Sequence, residues 1–256
     1  MKKVLSKKKP EKSLLKSLHK SGGRNKRGVI TVRHRGGGAR KLYRLVDFGE
    51  EHLDVKGRVR AIEYDPNRNA FIALVGYEDG NKGYILASQG LSVGDEVQCA
   101  ERAEPKPGNR MKLAFVPVGI PVHNIELEPG KGGKLVRGAG TAARITAQEE
   151  NTTLLQLPSK EIRRVPSAVF VSVGEVSNPE HRFQKAKKAG NTRWKGRRPH
   201  VRGSAMNPVD HPHGGGEGKA PIGMKYPKTP WGKPARGVRT RKKKWSDKLI
   251  LQRRKK

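Results

Sequence analysis

From residue 40 the chain shows short runs rich in β-branched and aromatic residues with turn residues between them, and this pattern predicts consecutive strands. The first predicted strands cover residues 41–48, 57–64, 70–77 and 83–86. Asp65-Pro66-Asn67-Arg68-Asn69 and Glu78-Asp79-Gly80-Asn81 supply the turn residues between the last three of them. Residues 91–97 and 117–127 add two more extended runs. Five or more strands in about 85 residues are typical of an OB-like Greek-key barrel.

A second β-rich block follows, with predicted strands at residues 140–147, 152–157, 161–165 and 169–176. We expect an SH3-like barrel in this block. The alternation around Leu154 and Gln156 is imperfect, so the pattern alone leaves open a single sandwich in place of two barrels. The predicted fold is all-β, an OB-like barrel followed by an SH3-like barrel, with long basic N- and C-terminal extensions.

These patterns predict four segments along the chain. They are a basic N-terminal extension at residues 1–39, the OB-like barrel at 40–124, the SH3-like barrel with a basic edge at 125–200, and a basic Gly/Pro-rich C-terminal extension at 201–256.

Charge is segregated in the same way. Residues 1–44 carry 16 basic and 1 acidic side chains, 45–129 carry 9 and 14, 130–181 carry 7 and 5, 182–232 carry 12 and 2, and 233–256 carry 12 and 1. The whole chain has a formal charge of +33, which predicts a polyanionic partner. Ordering the N-terminal arm costs on the order of tens of kcal/mol in backbone entropy, and phosphate contacts can offset that cost. We expect the arms to be flexible without RNA, and the carboxylates of residues 45–129 to form a solvated face.

Composition excludes several other classes. The single Cys99 allows no intrachain disulfide and no cysteine zinc cluster, which favours the cytoplasm over an oxidising compartment. The sequence has no apolar run of about 20 residues, so we expect no membrane partner. The basic N-terminus leaves an organellar transit peptide as a minor alternative.

Three Gly-rich segments mix glycine with hydrogen-bond donors, at residues 21–38, 189–198 and 206–218. Glycine lets a backbone approach phosphates closely, and arginine supplies forked donors to them. Such runs are also common in flexible linkers, which is the alternative reading. No Gly-Lys-Ser or Gly-Lys-Thr follows a Gly-rich run, so a nucleotide-binding phosphate loop is not predicted.

Trp194 and Trp231 are candidates for base stacking, whereas an isolated tryptophan more commonly fills a core. Asp210, His211 and His213 form the most enzyme-like constellation, since imidazoles and a carboxylate bind metals or transfer protons. Pro208 and Pro212 favour an extended segment there, so the two imidazoles need not converge, and RNA packing is preferred. His34 reads as RNA-facing and His123 as structural.

The predicted rRNA-binding residues share a position in or beside the basic Gly-rich segments. They are Arg24, Arg27, Arg33, His34, Arg35, Arg40, Arg193, Trp194, Lys195, Arg197, Arg198, Arg202, Asn207, His211, His213, Lys219, Trp231, Arg236, Arg239 and Arg241. No catalytic residue, metal site or cofactor is predicted.

Several motifs along the chain resemble one family. They are Pro10-Glu11-Lys12-Ser13-Leu14-Leu15, residues 30–38, Ile62-Glu63-Tyr64-Asp65-Pro66-Asn67-Arg68, Val122-His123-Asn124-Ile125-Glu126-Leu127, Gly130-Lys131-Gly132-Gly133 and residues 207–218. The chain resembles the universal large-subunit ribosomal proteins of the L-two family, in their bacterial form, over nearly its whole length. Two departures stand out: the N-terminal arm is shorter than usual, and residues 216–230 are altered around Ala220-Pro221-Ile222-Gly223-Met224.

The resemblance implies a structural, primary rRNA-binding component of the large ribosomal subunit, with extensions near the peptidyl-transferase region. It also implies a role in tRNA binding and in association with the small subunit through an intersubunit bridge. Expected partners are large-subunit rRNA, other ribosomal proteins, small-subunit rRNA or protein, and nearby tRNA. The histidine matching His211 has been discussed in peptide-bond formation, but we expect structural support from it. A free-standing RNA chaperone and a metal-dependent nuclease using Asp210, His211 and His213 remain the alternatives.

Overall fold

The computed structural model describes residues 5–49 and 51–254, and this part of the chain is almost entirely β. The strands are β1 Leu15–Ser17, β2 Leu42–Arg44, β3 Lys56–Tyr64, β4 Phe71–Tyr77, β5 Lys82–Leu86, β6 Glu96–Gln98, β7 Arg110–Lys112, β8 Pro121–His123, β9 Ala143–Gln148, β10 Thr152–Gln156, β11 Ile162–Pro166, β12 Phe170–Val173 and β13 Ile250–Gln252. Within the described residues there is one short α-helix, α1 Ala189–Trp194, and none of their helices has the length and apolarity needed to cross a membrane.

The strands form three antiparallel sheets. The four-stranded sheet has the order β5-β4-β3-β6, and the seven-stranded sheet has the order β13-β11-β10-β9-β8-β12-β7. A small sheet pairs β1 with β2. The all-β prediction is confirmed, and the sheets are consistent with an OB-like barrel followed by an SH3-like barrel. Strands β7 and β8 precede residue 124 and pair within the seven-stranded sheet.

Strand β4 explains why the first sheet has apolar surface on both faces. Its residues Phe71, Ala73 and Val75 pack in one apolar cluster with Val59 and Val97. The intervening Ile72 and Leu74 pack in a second cluster with Ala61 and Tyr84. Because successive side chains of a strand point to opposite faces, a continuous apolar run between two partner strands covers both. The predicted turns at residues 65–69 and 78–81 lie between β3, β4 and β5, as expected.

The seven-stranded sheet surrounds the larger core. Its buried side chains come from most of the strands and from the loops between them. They include Met111, Leu113, Val122, Ile125, Ile145, Leu155, Val165, Val171 and Val173. Burial of these side chains supplies the main favourable free energy of folding in this part of the chain.

The prediction of a solvated carboxylate face is wrong for Glu63, Asp65 and Glu126, which are buried. Asp65 lies 2.6 Å from the Nε of Arg68 and accepts the N–H of Asn67 at 2.8 Å. Glu126 lies 3.3 Å from the guanidinium of Arg110. Glu63 accepts the hydroxyl of Tyr84 at 2.8 Å, and burial raises the pKa of this carboxyl. Buried carboxylates persist when such partners offset the lost hydration.

The described chain divides into two compact units that differ from the four predicted segments. The β body comprises Met1–Leu18, Arg40–Lys185 and Ser246–Lys256 and contains the sheets. The arm unit comprises His19–Ala39 and Ala186–Trp245. Strand β13 pairs with β11, so the segment predicted as a C-terminal extension returns to a sheet near its end. The apolar residues Ile250 and Leu251 in an otherwise basic stretch account for this strand.

Candidate nucleic-acid interface

Nineteen of the 20 predicted rRNA-binding residues lie in the arm unit, and Arg40 lies in the β body. Most of their side chains are exposed, namely Arg24, Arg27, Arg33, Arg35, Arg40, Arg193, Trp194, Lys195, Arg197, Arg198, Arg202, Asn207, Lys219, Trp231, Arg236, Arg239 and Arg241. His34 and His213 are half-buried, and His211 is buried. The predicted set is therefore largely a solvent-facing set of cations within one compact unit.

Backbone hydrogen bonds join the first two Gly-rich segments, which are far apart in sequence. The N–H of Gly36 donates to the carbonyl of Gly196 at 3.1 Å, and the N–H of Ala39 donates to the carbonyl of Trp194 at 3.0 Å. Arg35 and Arg197 form an antiparallel bridge next to the first of these bonds. The two basic arms thus form one surface and are not separate tails.

Gly38 shows why glycine is needed where the two arms meet. Its φ is +87°, and a Cβ placed on it would lie 3.1 Å from the Cα and N of Gly196. Any other residue would bring both a left-handed backbone and a contact tighter than van der Waals distance. Here the glycine run serves the packing of the arms against each other, which the linker alternative does not explain.

His34 also contributes to this junction. Its backbone is left-handed, with φ at 59°, and its Nδ1 lies 3.0 Å from the carbonyl oxygen of Pro199. Because a carbonyl only accepts, Nδ1 must carry the hydrogen. The ring also packs on His200 with 4.4 Å between centroids. His34 therefore has a structural contact in addition to any RNA contact.

The third Gly-rich segment folds around His211. The backbone N–H of His213 donates to the Nδ1 of His211 at 3.0 Å, and the N–H of Lys228 donates to the Nε2 of His213 at 2.8 Å. The N–H of Gly214 donates to the carbonyl of His211 at 2.8 Å. The two rings lie 4.6 Å apart, so the segment brings the imidazoles together although its prolines do not require it. Two short backbone loops thus close on a pair of imidazoles.

Gly203 lies flat against the same ring. A Cβ on Gly203 would lie 2.5 Å from the Cε1 and Nδ1 of His211, a distance that side chains do not tolerate. Loss of solvent around His211 lowers its pKa, and the neighbouring His213 and Arg33 act in the same direction. His211 is therefore held neutral, with its hydrogen on Nε2.

This geometry argues against the nuclease alternative. A neutral imidazole binds a metal through its one lone pair, and backbone N–H groups occupy that lone pair in both His211 and His213. Among residues 5–49 and 51–254 no group of three or more His, Cys, Asp or Glu side chains is arranged to hold a metal ion. The chemistry left to this segment is that of a neutral, buried hydrogen-bond acceptor.

Two of the tryptophans stand beside cations on the surface of the arm unit. Trp194 is 57% exposed with the ammonium of Lys188 5.4 Å from its ring centroid. Trp231 is 73% exposed with the guanidinium of Arg33 at 5.2 Å. Neither ring fills a core, so the alternative of a core-filling tryptophan is excluded for both. Exposed rings beside cations have the form expected of nucleobase contacts.

The charges of the two units differ sharply. The arm unit carries 23 Lys and Arg against 2 Asp and Glu, whereas the β body carries 33 against 21. Repulsion among so many cations is unfavourable unless a polyanion is bound.

Sequence reasoning missed several residues that shape this surface. Lys20 donates to the carbonyl of Gly38 at 2.8 Å, and Lys188 stands over Trp194. Both lie in basic stretches, so charge density gave a signal for them. Gly203 and His200 had no such signal, because their roles depend on contacts with the rings of His211 and His34 that follow no repeating pattern in the sequence.

Two family models match the chain. Residues 11–99 match the RNA binding N-terminal domain of Ribosomal Proteins L2, and residues 106–232 match the C-terminal domain of Ribosomal Proteins L2. The matches cover most of the 256 residues, so the chain belongs to the ribosomal protein L2 family.

Membership makes the chain a component of the large ribosomal subunit that binds rRNA, with other ribosomal proteins of that subunit as partners. In bacteria this places it in the cytoplasm. Proteins of this family are structural RNA-binding components and are not classically enzymes. The resemblance drawn from the sequence motifs is thereby confirmed, and neither the free-standing RNA chaperone nor the nuclease is supported.

Proposed function

We propose that the arm unit is the principal rRNA-binding surface of this ribosomal protein, and that the 20 predicted residues, 19 in the arm unit and Arg40 in the β body, contact the rRNA. Through this surface the protein supports the peptidyl-transferase region, tRNA binding and association with the small subunit at an intersubunit bridge. Residues 1–39 and 201–256 act as RNA-entering extensions of barrels at 40–124 and 125–200, and the guanidinium of Arg33 lies over the ring of Trp231 between the two extensions.

The observation that carries this proposal is the charge of the arm unit, 23 basic against 2 acidic residues, combined with its lack of a core. Among its residues, all of which the structure describes, only His211 is buried. A unit with so little apolar burial gains its order from backbone hydrogen bonds and from an external partner. A phosphate backbone is a suitable partner, because each phosphate that the protein neutralises releases a counterion and this release favours binding.

The chemistry of the surface fits folded RNA. Arginines such as Arg197, Arg198 and Arg202 offer planar donors that pair with phosphate oxygens in a bidentate way. Exposed indoles offer stacking surfaces for unpaired bases. The match of residues 11–99 to an RNA-binding domain includes the first segment of the arm unit, His19–Ala39.

Salt dependence tests which unit carries the phosphate contacts. Binding of the full chain to large-subunit rRNA should follow a log-log salt slope of about −6 to −7 if about 8 phosphates are neutralised. Replacing Arg197, Arg198 and Arg202 together by Gln should reduce the magnitude of that slope by about 3. The matched control replaces three exposed cations of the β body, Lys134→Gln, Arg144→Gln and Lys160→Gln.

The control should leave the slope nearly unchanged. Equal changes in both variants would contradict the assignment to the arm unit, and a wild-type slope near zero would contradict phosphate binding altogether.

Subunit joining tests the wider role. Large subunits reconstituted with His211→Ala should assemble less completely or join small subunits less well, since the N–H of His213 loses its acceptor and the buried ring that packs on His213 is removed. His211→Asn, which retains a side-chain acceptor, should restore most of the effect. Normal joining and normal tRNA binding with His211→Ala would remove His211 from the proposal.

A further inference from the structure

Trp231 and Arg33 form a pair that neither the family assignment nor the phosphate contacts account for. The indole of Trp231 is largely exposed, and the guanidinium carbon of Arg33 lies 5.2 Å from its ring centroid. The two residues come from opposite ends of the sequence and are brought together inside the arm unit. The exposed indole offers a large, flat apolar face that a binding partner can bury.

The turn that carries Trp231 is well defined. The N–H of Gly232 donates to the carbonyl of Thr229 at 2.9 Å, and the N–H of Thr229 donates to the carbonyl of Lys233 at 2.7 Å. The N–H of Lys233 also donates to the Thr229 hydroxyl at 3.2 Å. Gly232 has φ at +76°, a left-handed conformation that glycine adopts at little cost. The indole is thus presented at the tip of a closed turn, so little of its backbone must be ordered on binding.

The surroundings decide the chemistry of the occupant. The exposed indole favours a planar partner that can stack on it, and the arm unit's charge favours a polyanion. A nucleobase in single-stranded RNA meets both conditions, because it is a flat ring attached to phosphates. A paired base is already stacked on its neighbours and offers no free face.

We propose that Trp231 and Arg33 form a docking site for one unpaired nucleobase, which stacks on the indole face opposite the guanidinium. The proposal rests on the proposed function, since it assumes that RNA phosphates bring the base to the arm unit. It adds that this position recognises a base ring and not only the backbone.

Fluorescence of the full-length chain tests the stacking directly. The double variant Trp194→Phe/Trp245→Phe leaves Trp231 as the one indole, because the chain has 3 tryptophans. It is titrated with a short single-stranded uridine oligoribonucleotide and with an abasic oligomer of the same length and phosphate count. The uridine oligomer should quench Trp231, whereas the abasic oligomer should bind, as seen by anisotropy of a labelled RNA, without quenching.

Affinity gives a second readout. Trp231→Leu should weaken binding of the uridine oligomer by about 5- to 100-fold and leave the abasic oligomer unaffected. Arg33→Lys keeps the charge but loses the guanidinium plane, and should weaken only the uridine oligomer, by about 2- to 5-fold. Trp245→Leu removes another exposed indole and is the matched control, expected to leave the difference between the two oligomers intact.

The outcomes separate the two proposals. Salt-dependent binding of both oligomers with identical quenching would overturn base stacking and leave the phosphate-binding function standing. Absence of binding by either oligomer would overturn both. Unchanged RNA affinity in Trp231→Leu would assign the exposed indole to a protein neighbour in the large subunit, and would also overturn the stacking proposal.

Discussion

The β body and the arm unit of one chain are held together in different ways. In the β body, apolar clusters cover both faces of β4 and fill the seven-stranded sheet. In the arm unit, which the structure describes in full, His211 is the one buried residue, and backbone hydrogen bonds join Gly-rich segments. The comparison shows how one protein combines a part that folds by burying apolar surface with a part that has almost no apolar core and a dense positive charge.

Each unit also contains one buried histidine, and the two histidines use opposite chemistry. The Nδ1 of His123 lies 3.0 Å from the carbonyl oxygen of Gly174, so this imidazole donates. The Nδ1 of His211 accepts the N–H of His213. In the β body, His123 is buried together with many apolar side chains. In the arm unit, which has no apolar core, His211 is the buried group, and it accepts a backbone hydrogen bond.

The largest expected effect comes from opening a cavity in the β body. Leu155→Ala removes a fully buried side chain from the larger core and should lower the unfolding free energy by about 2 to 5 kcal/mol. Val209→Ala in the arm unit removes apolar atoms that are 90% exposed, and should change it by less than about 0.5 kcal/mol. Urea denaturation followed by circular dichroism measures both. Comparable losses would show that the arm unit has a core after all.

Acid should act next most strongly, through His123. Burial lowers its pKa to about 4 from the ordinary 6.5, so the folded protein resists a proton that the unfolded chain accepts. The contribution of His123 to the unfolding free energy should therefore be fully present above pH 6.5 and be lost as the pH falls from 6.5 towards 4. At about 1.4 kcal/mol for each pKa unit, the total loss is roughly 3 kcal/mol.

The measurement compares unfolding free energies of wild type and His123→Asn across this range. Other groups, such as Glu63, titrate in both proteins, so the difference between the two curves isolates His123. A constant difference from neutral pH to pH 4 would be incompatible with a buried neutral imidazole.

Much of the β body could be predicted from sequence, because its strands and turns are each indicated by neighbouring residues in the chain. The runs around β3, β4 and β5 combine β-forming residues with turn signals, and the structure places strands there. Strands β7 and β13 were missed because each has three residues and basic neighbours. The buried Glu63, Asp65 and Glu126 were misjudged because their partners are set by tertiary packing.

For the arm unit, the sequence predicted the kind of surface but not how its segments are arranged. Glycine, arginine and tryptophan indicated RNA, and the family match supports RNA binding by the chain. The meeting of Gly36 with Gly196, and of Gly203 with His211, left no periodic pattern, since neither contact lies in a repeating strand or helix. Contacts of this kind depend on how closely folded segments fit together, and a single sequence does not reveal that fit.

A smaller, local effect should follow from Gly203→Ala. The added Cβ would meet the His211 ring at 2.5 Å, so the loop must shift and the two imidazole-accepted hydrogen bonds should weaken. Losing about 1 to 1.5 kcal/mol from such a bond should raise amide exchange of His213 and Lys228 by about tenfold. Hydrogen exchange of the full chain measures this.

Gly190→Ala, at a glycine whose Cβ position meets only the Cε of Lys188 at an ordinary 4.0 Å, is the control and should change neither amide. Urea denaturation of the β body should be unaffected by both variants. A large fall in global stability with Gly203→Ala would mean that the two units do not respond independently.

The smallest expected effect is a pH response confined to the arm unit. The pKa of His211 is lowered chiefly by burial, so the fold favours the neutral ring and loses that advantage as the pH falls below the ordinary value of 6.5. A protonated His211 has no lone pair left to accept the N–H of His213, and exchange protection of that amide, corrected for intrinsic rates, should decline on acidification. In His211→Asn the side-chain acceptor does not titrate, so exchange protection of the His213 amide should no longer decline on acidification. The β body is unchanged in this variant and should still lose stability in acid through His123. Protection that falls equally in both proteins would show that the loop opens for another reason, and that a neutral imidazole is not what closes it.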